Sequence, residues 1–377
     1  MIRRQAKLVS LLLAVTLSLA GCMGLGGARS ETIVIPDTEE QSQAGGDNAP
    51  FDVKTIYRVM SQGTVAGVPL GWLDQDALLS LMGDSSGASS LERVDYPYES
   101  HLKWRVAETK PDYMSLSPNG HSLVLLVPQA DGSFALKLVS TANQEETALG
   151  QIGMYQIRSV KMGWSNNGRY FIYLSRNAVP GGDEIHVYDT ATKSAKQYTA
   201  PDWKPTDTIA SIHLSDDAES VAVVKISNRT SYVQFGGWSG SELSTSYEHF
   251  AARDSRVEWI HDDQIAFLGP EGTLYAYDRR NAALSILLEQ TGMFRLSPDR
   301  KSVVYTQDKD TLYVASLYGN NVLNKTQIFR GLVPTLMEWS PDGGKLLLGG
   351  WKLYEQENPR PSQPAPIGMQ NMVIEFK

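Results

Sequence analysis

Only one cysteine, Cys22, stands among the 377 residues of this chain. A disulfide within the chain needs two, and a zinc or iron–sulfur site built from several thiolates needs more, so both are excluded. Basic side chains are also in deficit: 34 Lys and Arg face 42 Asp and Glu, a net charge of −8. A nucleic-acid binder displaces counterions with a basic footprint, and this chain has none to spare. None of the six histidines falls in an H-E-x-x-H pair or a Cys/His cluster. A glycine-rich phosphate loop is missing, and acidic turns such as Asp308-Lys309-Asp310 lack the ligand density of a calcium loop. The sequence therefore calls for no cofactor, no metal and no nucleic acid. Gly237-Trp238-Ser239-Gly240-Ser241 departs from the G-x-S-x-G nucleophile elbow at its last position and reads as a turn between outer strands. At 42% hydrophobic and 20% charged, the composition is globular, which excludes wholesale disorder and a multi-span membrane protein.

The N-terminus reads as an address. Arg3, Arg4 and Lys7 precede an apolar run from Leu8 to Ala20. That run is shorter than the roughly 20 residues needed to cross about 30 Å of hydrocarbon, and it has the layout of a signal peptide. It ends in Leu19-Ala20-Gly21-Cys22. This tetrapeptide resembles the lipobox of bacterial lipoproteins. The resemblance implies cleavage before Cys22 and a diacylglyceryl anchor on its thiol, with palmitate-type acyl chains. Such an anchor holds a folded domain at a membrane surface, here the cell membrane or, in a diderm, the inner or outer membrane. Removing residues 1–21 takes away three positive charges and no negative ones, so a net −8 becomes −11. Residues 22–52 are rich in glycine and polar side chains and read as a flexible tether.

The remainder, 53–377, is a repeat. Leu116-Ser117-Pro118-Asn119-Gly120, Leu296-Ser297-Pro298-Asp299-Arg300 and Trp339-Ser340-Pro341-Asp342-Gly343 are near copies. Weaker copies start at Trp164 and Leu214, and degenerate ones at Trp72 and Trp259. Their spacing of 37–50 residues is close to that of four-stranded propeller blades. Most copies lead into β-branched or aromatic runs separated by turn residues, such as Tyr170-Phe171-Ile172-Tyr173-Leu174 and Ile185-His186-Val187-Tyr188. These residues resemble the repeats of TolB-type β-propellers, in which such a turn joins the innermost strand of a blade to the next. The expectation is an all-β, seven-bladed β-propeller, with six blades as the rival count. Val53 to Met60 is expected to pair with the last strand and close the ring. Residues 23–52 are too few for the α/β domain that precedes the propeller of TolB.

Aligned copies give two columns. Trp72, Leu116, Trp164, Leu214, Trp259, Leu296 and Trp339 alternate large and small and read as core, with Trp339 and Trp72 expected to meet at the closure. One residue earlier stand Gly71, Ser115, Gly163, His213, Glu258, Arg295 and Glu338, on the opposite strand face and so toward the axis. Glu258, Arg295 and Glu338 have two readings, an ion-pair chain between blades or a pair of carboxylates for hydrolysis. Arg295 between them is expected to hold both carboxyls low, which disfavours a general acid. A second candidate region gathers loops at one end of the ring: Arg176, Trp203, Arg229, and Trp351, Tyr354 and Arg360 in the long proline-rich segment 351–370. Aromatic and Arg side chains are the usual anchors of an interface, although such a loop also serves to cap a channel. The function this suggests is an envelope-located interaction or ligand-binding module, with a glycosidase of envelope polysaccharide and a small-ligand sensor as rivals.

Overall fold

The computed structural model describes residues 51–59, 67–83, 89–106, 111–175, 183–253, 255–352 and 369–377. All of them belong to one compact unit, 32–377. Cys22, the signal sequence, the tether, Arg176, Tyr354 and Arg360 lie outside the described residues.

Among the described residues every regular element is a strand. The chain enters as β1 (Val53–Arg58). A first sheet follows: β2 (Val68–Trp72), β3 (Ala77–Gly83), β4 (Ser89–Asp95) and β5 (Ser100–Val106). The second is β6 (Tyr113–Leu116), β7 (Ser122–Pro128), β8 (Phe134–Ser140) and β9 (Glu146–Ile152). Then come β10 (Lys161–Trp164), β11 (Tyr170–Ser175), β12 (Glu184–Asp189) and β13 (Ser194–Thr199), followed by β14 (Thr208–Leu214), β15 (Ser220–Ser227), β16 (Thr230–Ser239) and β17 (Glu242–Phe250). Two more sheets are β18 (Val257–His261), β19 (Gln264–Leu268), β20 (Leu274–Asp278) and β21 (Ala283–Leu288), then β22 (Thr291–Leu296), β23 (Ser302–Gln307), β24 (Thr311–Tyr318) and β25 (Asn321–Arg330). The last holds β26 (Leu332–Trp339), β27 (Lys345–Lys352) and β28 (Met369–Phe376), with β1 as its outer strand.

Five of these sheets have four strands and one has eight, where the repeats predict seven separate sheets. The difference has a local cause. The meanders β10–β13 and β14–β17 are joined edge to edge by a single parallel bridge, Thr199 to Glu242. The hairpin β16–β17 is long enough to reach its neighbour, and the Trp238 ring stacks on Tyr198 at 3.7 Å between centroids. Gly240 makes the hairpin turn at φ +63°, so Gly237 to Ser241 is a strand end and turn, as its sequence predicts.

Burial explains why these sheets assemble. The second strand of each meander, such as Leu123 to Leu126 of β7, is buried on both faces and reads as a continuous apolar run. Outer strands such as β9 and β13 are largely exposed. A sheet apolar on both faces must be covered twice, and each is covered by the next meander round. Hydrophobic clusters lie between successive meanders: β2–β5 with β6–β9, β6–β9 with β10–β13, and so on to β22–β25 with the last sheet. Another joins the last sheet to the first, through Leu347 and Val373 against Trp72, Leu78 and Val94. The arrangement is a closed propeller. Each cluster holds one member of the Trp/Leu column, which is therefore core. Trp72 and Trp339 do not meet as rings, because they fall in different clusters. Instead the Trp72 indole N–H donates to the carbonyl of Glu338 at 3.0 Å.

The expected closure is present. β1 pairs antiparallel with β28, Ile56 opposite Ile374 and Arg58 opposite Met372. Val53 lies opposite Phe376, whose N–H donates to the carbonyl of Gly344. The chain thus enters at the end of the ring that carries the Ser-Pro-Asp-Gly turns.

Those turns share one hydrogen-bond pattern. The Ser340 hydroxyl donates to the Asp342 carboxylate at 2.6 Å and accepts the Lys345 N–H at 2.8 Å. Ser117, Ser165, Ser215 and Ser297 do the same toward residues two and five positions on. The copies without serine have shorter turns, Leu73 N–H bonding to Ala77 and His261 pairing with Gln264. Ser340 is wholly buried, so Ser340→Ala strands the Lys345 N–H, and we expect a loss of about 1–3 kcal/mol in urea unfolding. An unchanged midpoint and slope would show that the turn does not need the hydroxyl.

Candidate functional site

The strands β2, β6, β10, β14, β18, β22 and β26 line one cavity of about 590 Å³ on the axis. Their period-2 geometry turns the column that starts at Gly71 toward it. The walls are unequal. On one side Gly71, Ser115 and Gly163 offer almost no side chain; on the other stand Glu258, Arg295 and Glu338. Gly163 has a packing reason as well, since a Cβ there would come within 2.6 Å of the Ile212 carbonyl oxygen on the neighbouring strand.

The charged wall is a quartet. Arg295 donates through Nη1 to Glu258 Oε1 and through Nη2 to Glu338 Oε1, while its Nε donates to the Met337 carbonyl at 3.1 Å. The sequence column thus brings these three together as an ion-pair chain across successive inner strands. Its fourth member, Arg256, escaped the sequence reading. Arg256 Nε donates to Glu258 Oε1 at 2.6 Å, and its Nη2 stands 3.7 Å from Glu338 Oε1. The signal was available: Arg256 lies two residues before Glu258, immediately ahead of β18.

Burial differs through the quartet. The side chain of Glu258 is 5% exposed, that of Glu338 28% and that of Arg256 45%. Burial pushes the Glu258 carboxyl up to about 7, with Arg256 pulling it back and Glu338 raising it further. Glu338 is raised by burial too, against the same pull from Arg256. The expectation that arginine would hold both carboxyls low is therefore corrected: desolvation outweighs the guanidiniums. His213 faces the cavity beside them, its Nε2 3.0 Å from the Ser211 hydroxyl. Burial and the nearby Arg256 push it down to about 3, so it is neutral across the physiological range.

Side chains meet near the axis at the turn end. Arg300 Nη2 donates to Asp216 Oδ2 at 2.7 Å, and its Nε to the Trp259 carbonyl at 3.1 Å. Asn166 donates to the same carbonyl at 3.3 Å. Two of these bonds, Arg300 to Asp216 and Asn166 to the Trp259 carbonyl, link sheets that are not neighbours round the ring, so they narrow the channel at that end. Arg256 lies toward the other end, where the cavity meets solvent.

The loop region fares less evenly. Trp203 is 5% exposed, packed with Ile209 and Ile212, and its indole N–H donates to Gln234 Oε1 at 3.2 Å. It is core and not an interface anchor, because the turn from Ala200 folds it back under the loop. Arg229 is exposed and Trp351 is 41% exposed. Arg229 lies in the turn after β15 and Trp351 near the end of β27; both strands run away from the serine turns, so the two residues share the opposite end of the ring. Among the described residues no group of three or more His, Cys, Asp or Glu is placed to hold a metal ion, and no helix is long and apolar enough to cross a membrane.

No family model and no curated protein matches the chain. Among solved structures, oligogalacturonate lyase in complex with manganese superposes with a TM-score of 0.57 at 12% identity, over 87% of this chain and 94% of that one. The tricorn protease gives 0.45 at 14%, over 67% of this chain, which spans only 29% of the protease chain. TolB from Acinetobacter baumannii gives 0.42 at 13%, over 67% of this chain and 66% of that one. At such identities the likeness is one of fold alone.

The raised Glu258 carboxyl makes a pH prediction. A group whose pKa is higher in the folded chain than in the unfolded one favours folding at low pH, and that contribution is lost as pH rises from about 4.5 through about 7. Carboxyl-carbon NMR is expected to show one glutamate titrating near pH 7, absent from Glu258→Gln. The stability of the variant is expected to fall less than that of the parent across this window. A Glu258 midpoint near 4 would mean that the guanidiniums win.

Proposed function

We propose that the chain is a lipid-anchored, extracytoplasmic lipoprotein whose propeller is a binding module of a bacterial cell envelope. Residues 1–21 are its signal peptide, Cys22 its lipid attachment point, 22–52 its tether and 53–377 its ring. We count the eight-stranded sheet as two blades, since only one bridge joins its halves while a full apolar cluster lies between them; this makes seven blades.

Binding is favoured by one observation: a cavity open to solvent on the axis of a rigid ring, with a charged wall facing a nearly bare one. This supports ligand capture in the channel, the sensor-type reading. The glycosidase reading is the weaker, because a single arginine is ion-paired to both carboxylates. Arg229 and Trp351 remain as anchors for an envelope partner at the channel-mouth end. The strand that follows the tether enters at the other end of the ring.

Two experiments test this. In cells fed a labelled fatty acid, Cys22→Ser is expected to lose both the label and membrane retention; a variant that keeps both refutes the anchor. Crosslinking on cells, with residues 355–369 deleted in parallel, is expected to recover fewer partners from the deletion. Equal recovery of every partner would remove the loop end from the binding surface.

A further inference from the structure

Arg295 is fully committed, with three of its nitrogens bonded to Glu258, Glu338 and the Met337 carbonyl. Arg256 is not. Its Nε is held by Glu258, but among the described residues its outer fork has only the contact of 3.7 Å to Glu338, too long for a hydrogen bond. Glu338 Oε1 is shared between two arginines, whereas its Oε2 has no hydrogen bond among the described residues. The cavity wall therefore presents a half-used cation next to a half-used anion, both oriented by Arg295 and Glu258. Across from them Met114, Met162 and Trp164, packed mainly between sheets, also border the cavity where Ser115 and Gly163 leave it open. At about 590 Å³ the cavity suits a small organic molecule.

We propose that the channel binds a small zwitterion, a free α-amino acid or short peptide with an apolar side chain. Its carboxylate takes the outer fork of Arg256, its ammonium takes Glu338 Oε2, and its side chain lies toward Met114, Met162 and Trp164. A neutral polyol makes ordinary hydrogen bonds at the same atoms. A zwitterion makes two charge-assisted ones and leaves neither charge of the wall without a partner. A simple anion satisfies Arg256 but sits against Glu338 and Glu258, and a simple cation has the converse fault. This inference rests on ligand capture in the channel, and it adds the chemical class.

The test is calorimetric titration of the full chain with L-leucine, L-phenylalanine and glycyl-L-phenylalanine. Their N-acetyl amides, which lack both charges, and sucrose serve as comparisons. At least one zwitterion is expected to bind, with its blocked form about tenfold weaker or worse. Arg256→Gln and Glu338→Gln are each expected to weaken binding by a similar factor. Ser115→Phe, which fills the bare wall and leaves the quartet intact, is expected to abolish it. Binding of the blocked forms or sucrose as tight as that of the zwitterions would overturn the class and leave channel capture standing. Zwitterion binding untouched by Ser115→Phe would overturn the channel as its place. An absence of heat with all three zwitterions would overturn the proposal.

Discussion

A four-stranded sheet that is apolar on both faces cannot stand alone in water, and everything else in this molecule follows from that constraint. Strands such as Ile265 to Leu268 and Leu346 to Leu348 are buried from both sides. Each sheet must be sandwiched, a linear stack would leave two faces bare, and a closed ring leaves none. The Trp/Leu column fills the inner part of every interface. Burying it turns the residue before it, by strand alternation, toward the axis. The charged wall is in this sense a by-product of core packing: the strands that bury Trp259, Leu296 and Trp339 must present Glu258, Arg295 and Glu338 to the channel.

Much of this was legible in the sequence because its signals are local. The serine and the Asx residue of each turn bond to each other within a few positions, so their chemistry recurs as a motif. Strand alternation then fixes which neighbours face inward, which is why the Glu258, Arg295 and Glu338 chain was readable before its geometry was known. What stayed hidden depends on distance. Trp203 looked like a loop aromatic, and only the fold of the segment from Ala200 shows it packed beneath. The bridge between Thr199 and Glu242 depends on how far one hairpin leans toward the next, which no single repeat encodes. The pull between burial and charge at Glu258 was misjudged from sequence, because desolvation is set by the whole ring and the arginine was visible in one column.

The channel combines rigidity with unspent polarity. Its floor is drawn in by Arg300 and Asn166 on the Trp259 carbonyl, and its wall is braced by Arg295 between two carboxylates. Groups held this way lose little freedom when something docks on them, and preorganisation of that kind raises affinity without added contacts. Arg256 and Glu338 are the members left partly solvated, and they stand where the cavity is open.

The pairing of β1 with β28 also sets a timetable. The ring is latched by the first described strand of the chain against the last, Ile56 beside Ile374. During synthesis this first strand therefore waits, unpaired, until some three hundred residues have followed it. The apolar faces of the first and last sheets stay uncovered for the same interval. A chain built in this way cannot finish folding piece by piece as it emerges; it completes itself only once its final residues are free.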